Sequence, residues 1–458
     1  MKIFFNFISL KRFFLFLIAF FFYSDFLYSQ NKVVGYYPDW LEYILPPQNI
    51  EFQNLTYIIH AFAWPQSNGN INYYPDMFNY GLADATHNAG KKVLMAFGGW
   101  GQSDGFAPLV ADSLARNNFI NNVVELLLNK NYDGIDLDWE FPSDITQGKN
   151  LTKLVKELRE RFNQENSEWL ITIAVSAGSY NGQYIEFGKL IDYVDWFSIM
   201  GYDFHGSWTV HAGHNSPIYQ PSNCSDGADD LGLIFLKIER QVPGDKILLG
   251  VPFYGKEFES TGLYQPITGS VTDLYFSDIA PRITNSNWEY NWDDFSRVPY
   301  LLNAEHTKFV TYDDTMSIRI KCDYAKENQL AGIIIWALGQ DLVSNKQPLL
   351  ETIGKNMGLV TSVEINVEQI PKSFYLSDNY PNPFNPTTKV EYTLPKTSMI
   401  TLKVFDSLGR EISILVDGMK SQGNYEVNFD GSSLASGVYL YVLTSGNYSL
   451  TKKMILLK

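Results

Sequence analysis

The sequence predicts an α/β fold, a closed (β/α)8 barrel, followed by a small all-β sandwich domain. Eight short runs rich in β-branched and aromatic residues recur between Val33 and Trp336, and helical patterns lie between them. The runs are almost wholly apolar, which is typical of parallel strands that helices cover. Eight such units favour a closed TIM-type barrel over an open doubly wound sheet, and no glycine-rich phosphate loop follows the first run.

The predicted elements follow one another in strand–helix order. The predicted barrel strands are Val33–Tyr37, Thr56–Phe62, Val93–Phe97, Gly134–Glu140, Ile171–Ser176, Trp196–Met200, Ile247–Val251 and Gly332–Trp336. Helices with one apolar face are predicted over Phe119–Leu128, Leu151–Phe162, Leu231–Val242, Met316–Glu327 and Leu349–Met357. The segment from about 257 to 308, after the seventh strand, is too long for a plain crossover and predicts a short α+β insertion.

The N-terminus carries the features of a secretory signal. Basic residues, ending with the pair Lys11-Arg12, precede a short apolar run, Phe13–Tyr23, and a small serine, Ser29, closes the segment. A signal peptide is therefore predicted over residues 1–30. A retained membrane anchor is the weaker alternative, because the apolar run is short for a bilayer.

Composition narrows the class of partner and cofactor. The formal net charge of −15 argues against a nucleic-acid partner, which requires basic patches, and a monomer is expected. The two cysteines, Cys224 and Cys322, form no disulfide framework; export permits a bridge between them, but their spacing leaves the pairing open. The six histidines show no metal-ligand spacing, so neither a metal nor a cofactor is expected.

One predicted strand carries acids at every second position, in the run Asp133-Gly-Ile-Asp136-Leu-Asp138-Trp-Glu140. Alternating side chains place Asp136, Asp138 and Glu140 on one face. Carboxylates this close share protons, and at least one pKa rises, so that a carboxylic acid can donate a proton near neutral pH. A calcium cluster or a solvated edge strand is the alternative, which the intervening apolar residues of a packed strand disfavour.

The same acids carry a resemblance. The pattern Asp133-x-x-Asp136-x-Asp138-x-Glu140 is similar to the signature of glycoside hydrolase family 18, the chitinases and their relatives. The segments that also resemble this family are Val33–Trp40, Val93–Trp100, Met200–Asp203, Gly250–Gly255 and Gly332–Trp336, and the resemblance extends to Gly358. One departure is Ala96, which stands where the family usually has serine, so that Asp136 is expected to find other hydrogen-bond partners.

The resemblance implies a role for each site residue. It makes Glu140 the general acid, Asp138 the group that orients the substrate acetamide and tunes Glu140, and Asp136 the acid that shares their charge or proton. It also implies that Tyr202 binds the acetamide and that Trp336 forms the floor of the cleft. The further expected substrate contacts are Gly99, Trp100, Phe141, Met200, Asp203 and Tyr254. Asp133 lies off the row and is expected to be structural.

Tryptophans gather where the barrel strands end. Six of the ten fall there, namely Trp40, Trp64, Trp100, Trp139, Trp208 and Trp336. Working groups of such barrels sit at these strand ends, and flat C–H faces of sugars pack on aromatic rings. The set favours a polysaccharide cleft.

The pattern changes after Gly358. Residues 359–374 are predicted to be a linker, and residues 375–458 a small all-β domain with strands around Val390–Leu394, Ile400–Val404, Tyr425–Phe429 and Val438–Val442. Turns are predicted at Asp406–Gly409, Gly423-Asn424 and Ser436-Gly437. The run Tyr380-Pro-Asn-Pro-Phe-Asn-Pro386 and the closing Lys452–Lys458 resemble the C-terminal sorting domain of the type IX secretion pathway; a carbohydrate-binding module is the alternative.

The combined prediction is a secreted or cell-surface chitinase. It would cleave β-1,4 links in chitin or N-acetylglucosamine oligosaccharides by a retaining, substrate-assisted mechanism. Export would run through the periplasm and the type IX secretion machinery. An endo-β-N-acetylglucosaminidase acting on glycoprotein glycans is a second hypothesis, which the short predicted insertion keeps open. A non-catalytic chitin-binding lectin is a third, which the presence of Glu140 disfavours.

Overall fold

The computed structural model describes residues 31–220, 227–360, 375–377, 379–395, 398–420, 423–445 and 448–458. This part of the chain divides into two compact units, one before and one after the segment 361–374. The predicted signal peptide, most of the predicted linker and Cys224 lie outside the described residues. The question of a bridge between Cys224 and the buried Cys322 therefore stays open.

The first unit is the predicted closed barrel of eight parallel strands. Its strands are Lys32–Pro38, Tyr57–Pro65, Lys92–Gly98, Gly134–Asp138, Leu170–Ser176, Trp196–Met200, Ile247–Pro252 and Gly332–Trp336. Each pairs with its neighbours in sequence, and the first pairs with both the second and the eighth, which closes the ring. A short strand, Ile71–Asn72, adds a hairpin to the end of the second. The fold prediction is confirmed.

Helices surround the barrel. The α-helices of this layer are Leu82–Asn88, Phe106–Ala111, Ser113–Lys130, Ile145–Glu165, Ser179–Gly182, Phe187–Leu190, Asp229–Leu233, Thr315–Glu327 and Pro348–Asn356. Short 3-10 turns lie at Asp39–Leu41, Pro47–Asn49, Phe52–Asn54 and Gly244–Lys246. The helix predicted over Leu231–Val242 is instead α-helical only to Leu233 and continues as a π-helix over Ile234–Glu239. Asp112, Asp144 and Asp314 cap their helices by accepting backbone N–H groups.

The apolar core has two layers. The larger layer lies between strands and helices and includes Ile135, Leu137 and Leu158. The smaller one contains Val34, Tyr36, Leu94, Ala96 and Trp196 from strands around the ring. Alternation along each strand separates the two layers. No helix within the described ranges is long and apolar enough to cross a membrane.

The insertion after the seventh strand is a small α+β subdomain, as predicted. It contains the strands Tyr254–Glu259, Val271–Tyr275, Trp288–Asp293, Val298–Asn303 and Lys308–Thr311, and the helix Phe276–Ile283. The five strands form one antiparallel sheet. Its first strand starts two residues after the seventh barrel strand ends, so the sheet is rooted at the barrel mouth and is slightly larger than the predicted 257–308.

The second unit is a sandwich of two antiparallel sheets, as predicted. One sheet contains Tyr375–Leu376, Thr387–Leu394 and Gly423–Asp430, and the other Ser398–Asp406, Glu411–Lys420, Gly437–Ser445 and Tyr448–Leu456. The sequence prediction missed Glu411–Lys420, an edge strand whose side chains are all at least partly exposed, so it has no apolar alternation to recognise. The turn predicted at Gly423-Asn424 is wrong, because those two residues already belong to a strand.

Candidate active site

The predicted row of acids lies at the mouth of the barrel, with one correction. The fourth strand ends at Asp138, so Glu140 stands two residues beyond it rather than on the strand. Asp136 is fully buried and Asp138 is 4% exposed, whereas Glu140 is half-buried. The row therefore runs from the barrel interior outward and reaches solvent at Glu140.

Two other barrel strands hold Asp136. The Tyr36 hydroxyl, on the first strand, donates to Asp136 Oδ2 at 2.7 Å, and the Thr172 hydroxyl, on the fifth, donates to Oδ1 at 2.5 Å. Ala96 lies beside Asp136 in the strand register and is fully buried. With no hydroxyl at position 96, both carboxylate oxygens are satisfied by these two other side chains.

A tight turn after the third strand clamps the backbone that carries the outer two acids. The Gly99 N–H donates to the Asp138 carbonyl at 2.8 Å. The Ser103 hydroxyl bonds the Gly99 and Asp138 carbonyls, and it accepts the Glu140 N–H at 3.0 Å. Gly98 has φ +111°, and a Cβ there would lie 2.2 Å from the Asp138 carbonyl oxygen. Only glycine permits this close approach.

The three carboxyl groups cannot all ionise at neutral pH. Burial raises the pKa of Asp136 to about 6, although its two hydrogen bonds act in the opposite direction. Burial, reinforced by Glu140 and then Asp136, raises the pKa of Asp138 well above its usual range. Burial, with a contribution from Asp203, raises the pKa of Glu140 to about 7. The group therefore retains protons near neutral pH and shares them, as coupled acids do.

A second wall of the site follows the sixth strand. Tyr202 lies within electrostatic range of all three acids, and burial and then Asp138 raise its pKa. Asp203, next in the chain, has a left-handed backbone with φ 62°. Its Oδ1 accepts the Tyr254 hydroxyl at 2.7 Å and lies 2.8 Å from the ammonium of Lys256. Asp203 is thus a fixed anion beside Glu140.

Aromatic rings form one side of the cleft. The ring of Trp336 stacks on Phe62 with centroids 5.6 Å apart and meets Tyr36 edge-on at 5.3 Å. The Trp40 ring lies 6.4 Å from Trp336 and is 44% exposed. A series of aromatic rings in contact therefore leads from the buried acids towards solvent.

The remaining predicted residues divide into two groups. Trp100 and Trp208 are strongly exposed, and Phe141 and Met200 are half-buried; all four lie at or just after strand ends. Trp139, by contrast, is buried and stacks on Phe106, so it belongs to the core.

Asp133 lies at the opposite end of its strand from the acid row. There it binds His87 and the Val93 N–H.

Sequence reasoning missed four residues that shape the site: Tyr36, Thr172, Ser103 and Lys256. Tyr36 and Thr172 contact Asp136 only because the barrel closes, which no local pattern reveals. Lys256 is 3% exposed, and a lysine so buried is a signal only once its two partners, Asp203 and Asp273, are known. Ser103 follows the predicted Gly99-Trp100 motif and was within reach of sequence inspection.

The arrangement is suited to proton transfer. Within the described ranges, no group of three His, Cys, Asp or Glu side chains is placed to hold a metal ion. Asp138 Oδ1 is buried and accepts no hydrogen bond from the described protein. It is an open acceptor within electrostatic range of Glu140 and Tyr202, and a bound N–H group would satisfy it.

Comparison with known proteins assigns both parts of the chain. Residues 32–341 match the model of glycosyl hydrolases family 18, and residues 378–457 match the secretion system C-terminal sorting domain. Chitinase A1 of Niallia circulans is 28% identical over 424 residues, which are 74% of this chain and 61% of that protein. Chitotriosidase-1 of Mus musculus is 27% identical over 396 residues, 78% of this chain and 85% of that protein.

Solved structures agree with the sequence relatives. The group II chitinase catalytic domain 2 of Ostrinia furnacalis is 30% identical, with a TM-score of 0.67 over 72% of this chain and 97% of that one. The group IV chitinase of the same insect, in complex with allosamidin, is 25% identical, with a TM-score of 0.66 over 72% and 99%. The family match covers more than half of the sequence, and it agrees with the acid row and the aromatic cleft. The chain therefore belongs to family 18 of the glycosyl hydrolases.

Proposed function

We propose that this protein is a secreted chitinase that cleaves β-1,4-linked N-acetylglucosamine polymers by a retaining, substrate-assisted mechanism. The observation that carries the proposal is the open, buried acceptor of Asp138, which lies within electrostatic range of Glu140 and Tyr202. That constellation is complementary to an N-acetyl group: the carboxylate receives the amide N–H, the phenol binds the carbonyl oxygen, and the ring of Trp336 packs on the sugar face.

Glu140 is the proposed general acid. Its pKa of about 7 keeps much of the population protonated at neutral pH, where a general acid is most effective. Because it stands beyond the strand and is half-buried, its carboxyl group can reach a glycosidic oxygen in the cleft. Asp138 supports this role by sharing a proton with Glu140 before the reaction, as coupled acids do; when Glu140 holds that proton, Asp138 is the anion.

The nucleophile is proposed to be the substrate's own acetamide oxygen. Asp138 precedes Glu140 by two residues on the same segment, which suits a partner of the acid rather than an attacker from the other side of the sugar. Asp203 is held by Tyr254 and Lys256, which suits a fixed anion. Family 18 is also a known exception to the rule of two catalytic carboxylates.

The proposed reaction has two steps. In the first, the acetamide oxygen attacks the anomeric carbon, the glycosidic C–O bond breaks, and the leaving oxygen takes the proton of Glu140. The product is a cyclic oxazolinium ion, which the anion of Asp138 stabilises. In the second, the Glu140 carboxylate removes a proton from water, the water oxygen attacks the same carbon, and the acetamide is restored. Two inversions retain the β configuration.

The relatives and the insertion favour chitin over a glycoprotein glycan. The two solved structures described above are chitinases, and one of them binds allosamidin. The insertion is a full five-stranded sheet at the barrel mouth, and such a wall suits a long polysaccharide in a groove. The insertion, residues 254–311, is close to the predicted 257–308, so its short length still keeps the endo-β-N-acetylglucosaminidase hypothesis open. Product analysis on chitin oligosaccharides beside a glycoprotein separates the two activities.

The C-terminal unit is proposed to direct export. Its match to a secretion system sorting domain and its own apolar core support a role separate from catalysis. Together with the N-terminal signal predicted over residues 1–30, this match supports our proposal that the mature enzyme is exported by the type IX machinery to the cell surface or the medium.

The variant Glu140→Gln is expected to lose turnover while it still folds and binds chitooligosaccharides. The amide keeps the shape of the side chain but has no transferable proton, and general acid catalysis contributes roughly 10²–10⁴-fold. Steady-state hydrolysis of a chitobioside and tryptophan fluorescence on oligosaccharide binding measure the two properties. Glu160→Gln, at an exposed helix position, is the matched control. Near wild-type turnover in Glu140→Gln would remove Glu140 from its role.

The pH dependence of kcat/KM is expected to fall on the alkaline side with a midpoint near 7. The acid must be protonated in the free enzyme, so activity is lost as pH rises through the Glu140 pKa of about 7. Asp138, Asp203 and Tyr202 all face this group. Asp203→Asn removes a negative charge that raises the pKa and should move the alkaline limb to lower pH. An alkaline limb that stays in place in Asp203→Asn contradicts the electrostatic account.

Fully deacetylated chitosan oligomers should resist hydrolysis, because they lack the internal nucleophile. Acetylated oligomers of the same length are the control, and a thiazoline mimic of the cyclic intermediate should inhibit their cleavage. NMR of the first product should show the β anomer. Rapid cleavage of deacetylated oligomers, or an α anomer formed first, would overturn the substrate-assisted mechanism.

Deletion of residues 375–458 should leave hydrolysis of soluble oligosaccharides intact but block export beyond the periplasm in the native host. Activity assays on purified protein and cell fractionation measure the two effects. Export of the truncated protein at the normal level would refute the sorting role. Loss of binding to insoluble chitin would instead support the carbohydrate-binding alternative.

A further inference from the structure

A buried cluster of charged groups lies outside the acid row. The ammonium of Lys321, on the helix Thr315–Glu327, is fully buried. It lies 2.8 Å from Asp313 Oδ2 and 3.9 Å from Asp229 Oδ2, and it donates to the Ser216 hydroxyl at 2.5 Å. Both carboxylate side chains are likewise excluded from solvent.

The cluster is connected to the turn that carries Tyr202 and Asp203. The Ser216 hydroxyl accepts a hydrogen bond from the Lys321 ammonium. It donates one in turn to the Gly201 carbonyl at 2.5 Å. Asp229 Oδ1 occupies the space beside Gly201, where a Cβ would lie 2.2 Å from it. The cluster therefore contacts the backbone of the residue immediately before Tyr202, through a hydrogen bond and through direct packing.

The segment next to Ser216 continues this contact along the turn. Asn215 Oδ1 accepts the Asp203 N–H at 3.3 Å, and the Asn215 carbonyl accepts the Phe204 N–H at 3.2 Å. Asn215 Nδ2 also reaches the Tyr254 carbonyl, and its own N–H donates to Thr311. Gly201, Asp203 and Phe204 are thus each hydrogen-bonded to residues 215–216, on both sides of Tyr202.

Burying such charges is costly, and a pair of well-packed apolar residues is often as stable or more so. Burial also raises the pKa of Asp229 well above its usual range, although Lys321 opposes the shift. The cluster is therefore poorly explained by stability alone. A chain of polarised hydrogen bonds, from Lys321 through Ser216 to Gly201, instead fixes one backbone position in a defined place.

We propose that Lys321, Asp313, Asp229 and Ser216 are positioning residues for the hydrolysis. They hold the Gly201–Asp203 turn so that Tyr202 and Asp203 stay in register with Asp138 and Glu140. This inference rests on the proposed function, since the register matters for the transition state in which the acetamide attacks. A displacement of about 1 Å at such a site costs up to ~10²-fold in rate.

Ser216→Ala tests the proposal, because it breaks the link to Gly201 without removing a charge. With a chromogenic N,N′-diacetylchitobioside, kcat should fall about tenfold and KM should stay within about twofold, the pattern of a contact that matters mainly in the transition state. Ser260→Ala is the matched control: Ser260 is a fully buried serine that also bonds backbone carbonyls, but in the insertion. It should leave both constants unchanged.

A second variant separates positioning from general stability. Lys321→Met removes the buried ammonium, and its loss of kcat should not add to that of Ser216→Ala in the double variant, because both break one chain. Independent, additive losses, or a wild-type kcat in Ser216→Ala, would overturn the inference. If Lys321→Met does not fold, Ser216→Ala decides by itself.

Hydrogen–deuterium exchange of the free enzyme gives a reading that does not depend on activity. Ser216→Ala should speed exchange at residues 203–204 and leave residues 260–265 unchanged, whereas unchanged exchange at 203–204 would refute the positioning role. Wild-type protein that cleaves no chitobioside would contradict the proposed function instead. The two failures are therefore distinguishable.

Discussion

The site depends on the burial of carboxyl groups at the end of one strand. Water would stabilise each of these groups as an anion, and its removal raises the pKa of all three. The surrounding structure replaces this lost hydration to a different extent for each group. Asp136 receives two hydroxyl donors, Asp138 keeps one oxygen open, and Glu140 reaches partly into solvent. This gradient gives three chemically similar side chains three different properties.

The barrel provides the compensation because its closure brings distant segments together. Tyr36 and Thr172 both donate to Asp136. Thr172 stands on the fifth strand, next to the fourth, whereas Tyr36 stands on the first, three strands away around the barrel. The glycine turn after the third strand and the polar turn after the sixth then approach the outer acids from opposite sides. Lys256 belongs to the first strand of the insertion and binds both Asp203 and Asp273, so the inserted sheet and the barrel mouth share one cation.

Much of this was predictable, and the misses have physical causes. Apolar runs and their number predicted the barrel, and alternation predicted that Asp136 and Asp138 share a face. Glu140 was placed on the strand because alternation cannot show where a ladder stops. Edge strands such as Glu411–Lys420 bury little on either side and leave no periodic signal. Nothing in the local sequence distinguishes Lys256 and Lys321 from surface lysines, because the burial of a charge depends on partners far away in the chain.

The position of Glu140 beyond the strand has an evolutionary consequence. Its residue pairs with no neighbouring strand, and its N–H binds Ser103 whatever side chain it carries. Asp136, by contrast, is tied into the barrel interior by two other strands. Architecture and turnover are therefore separable traits in this chain. A lineage could replace residue 140 and keep an intact, sugar-shaped groove, so that a binding protein can descend from a hydrolase by a single codon change.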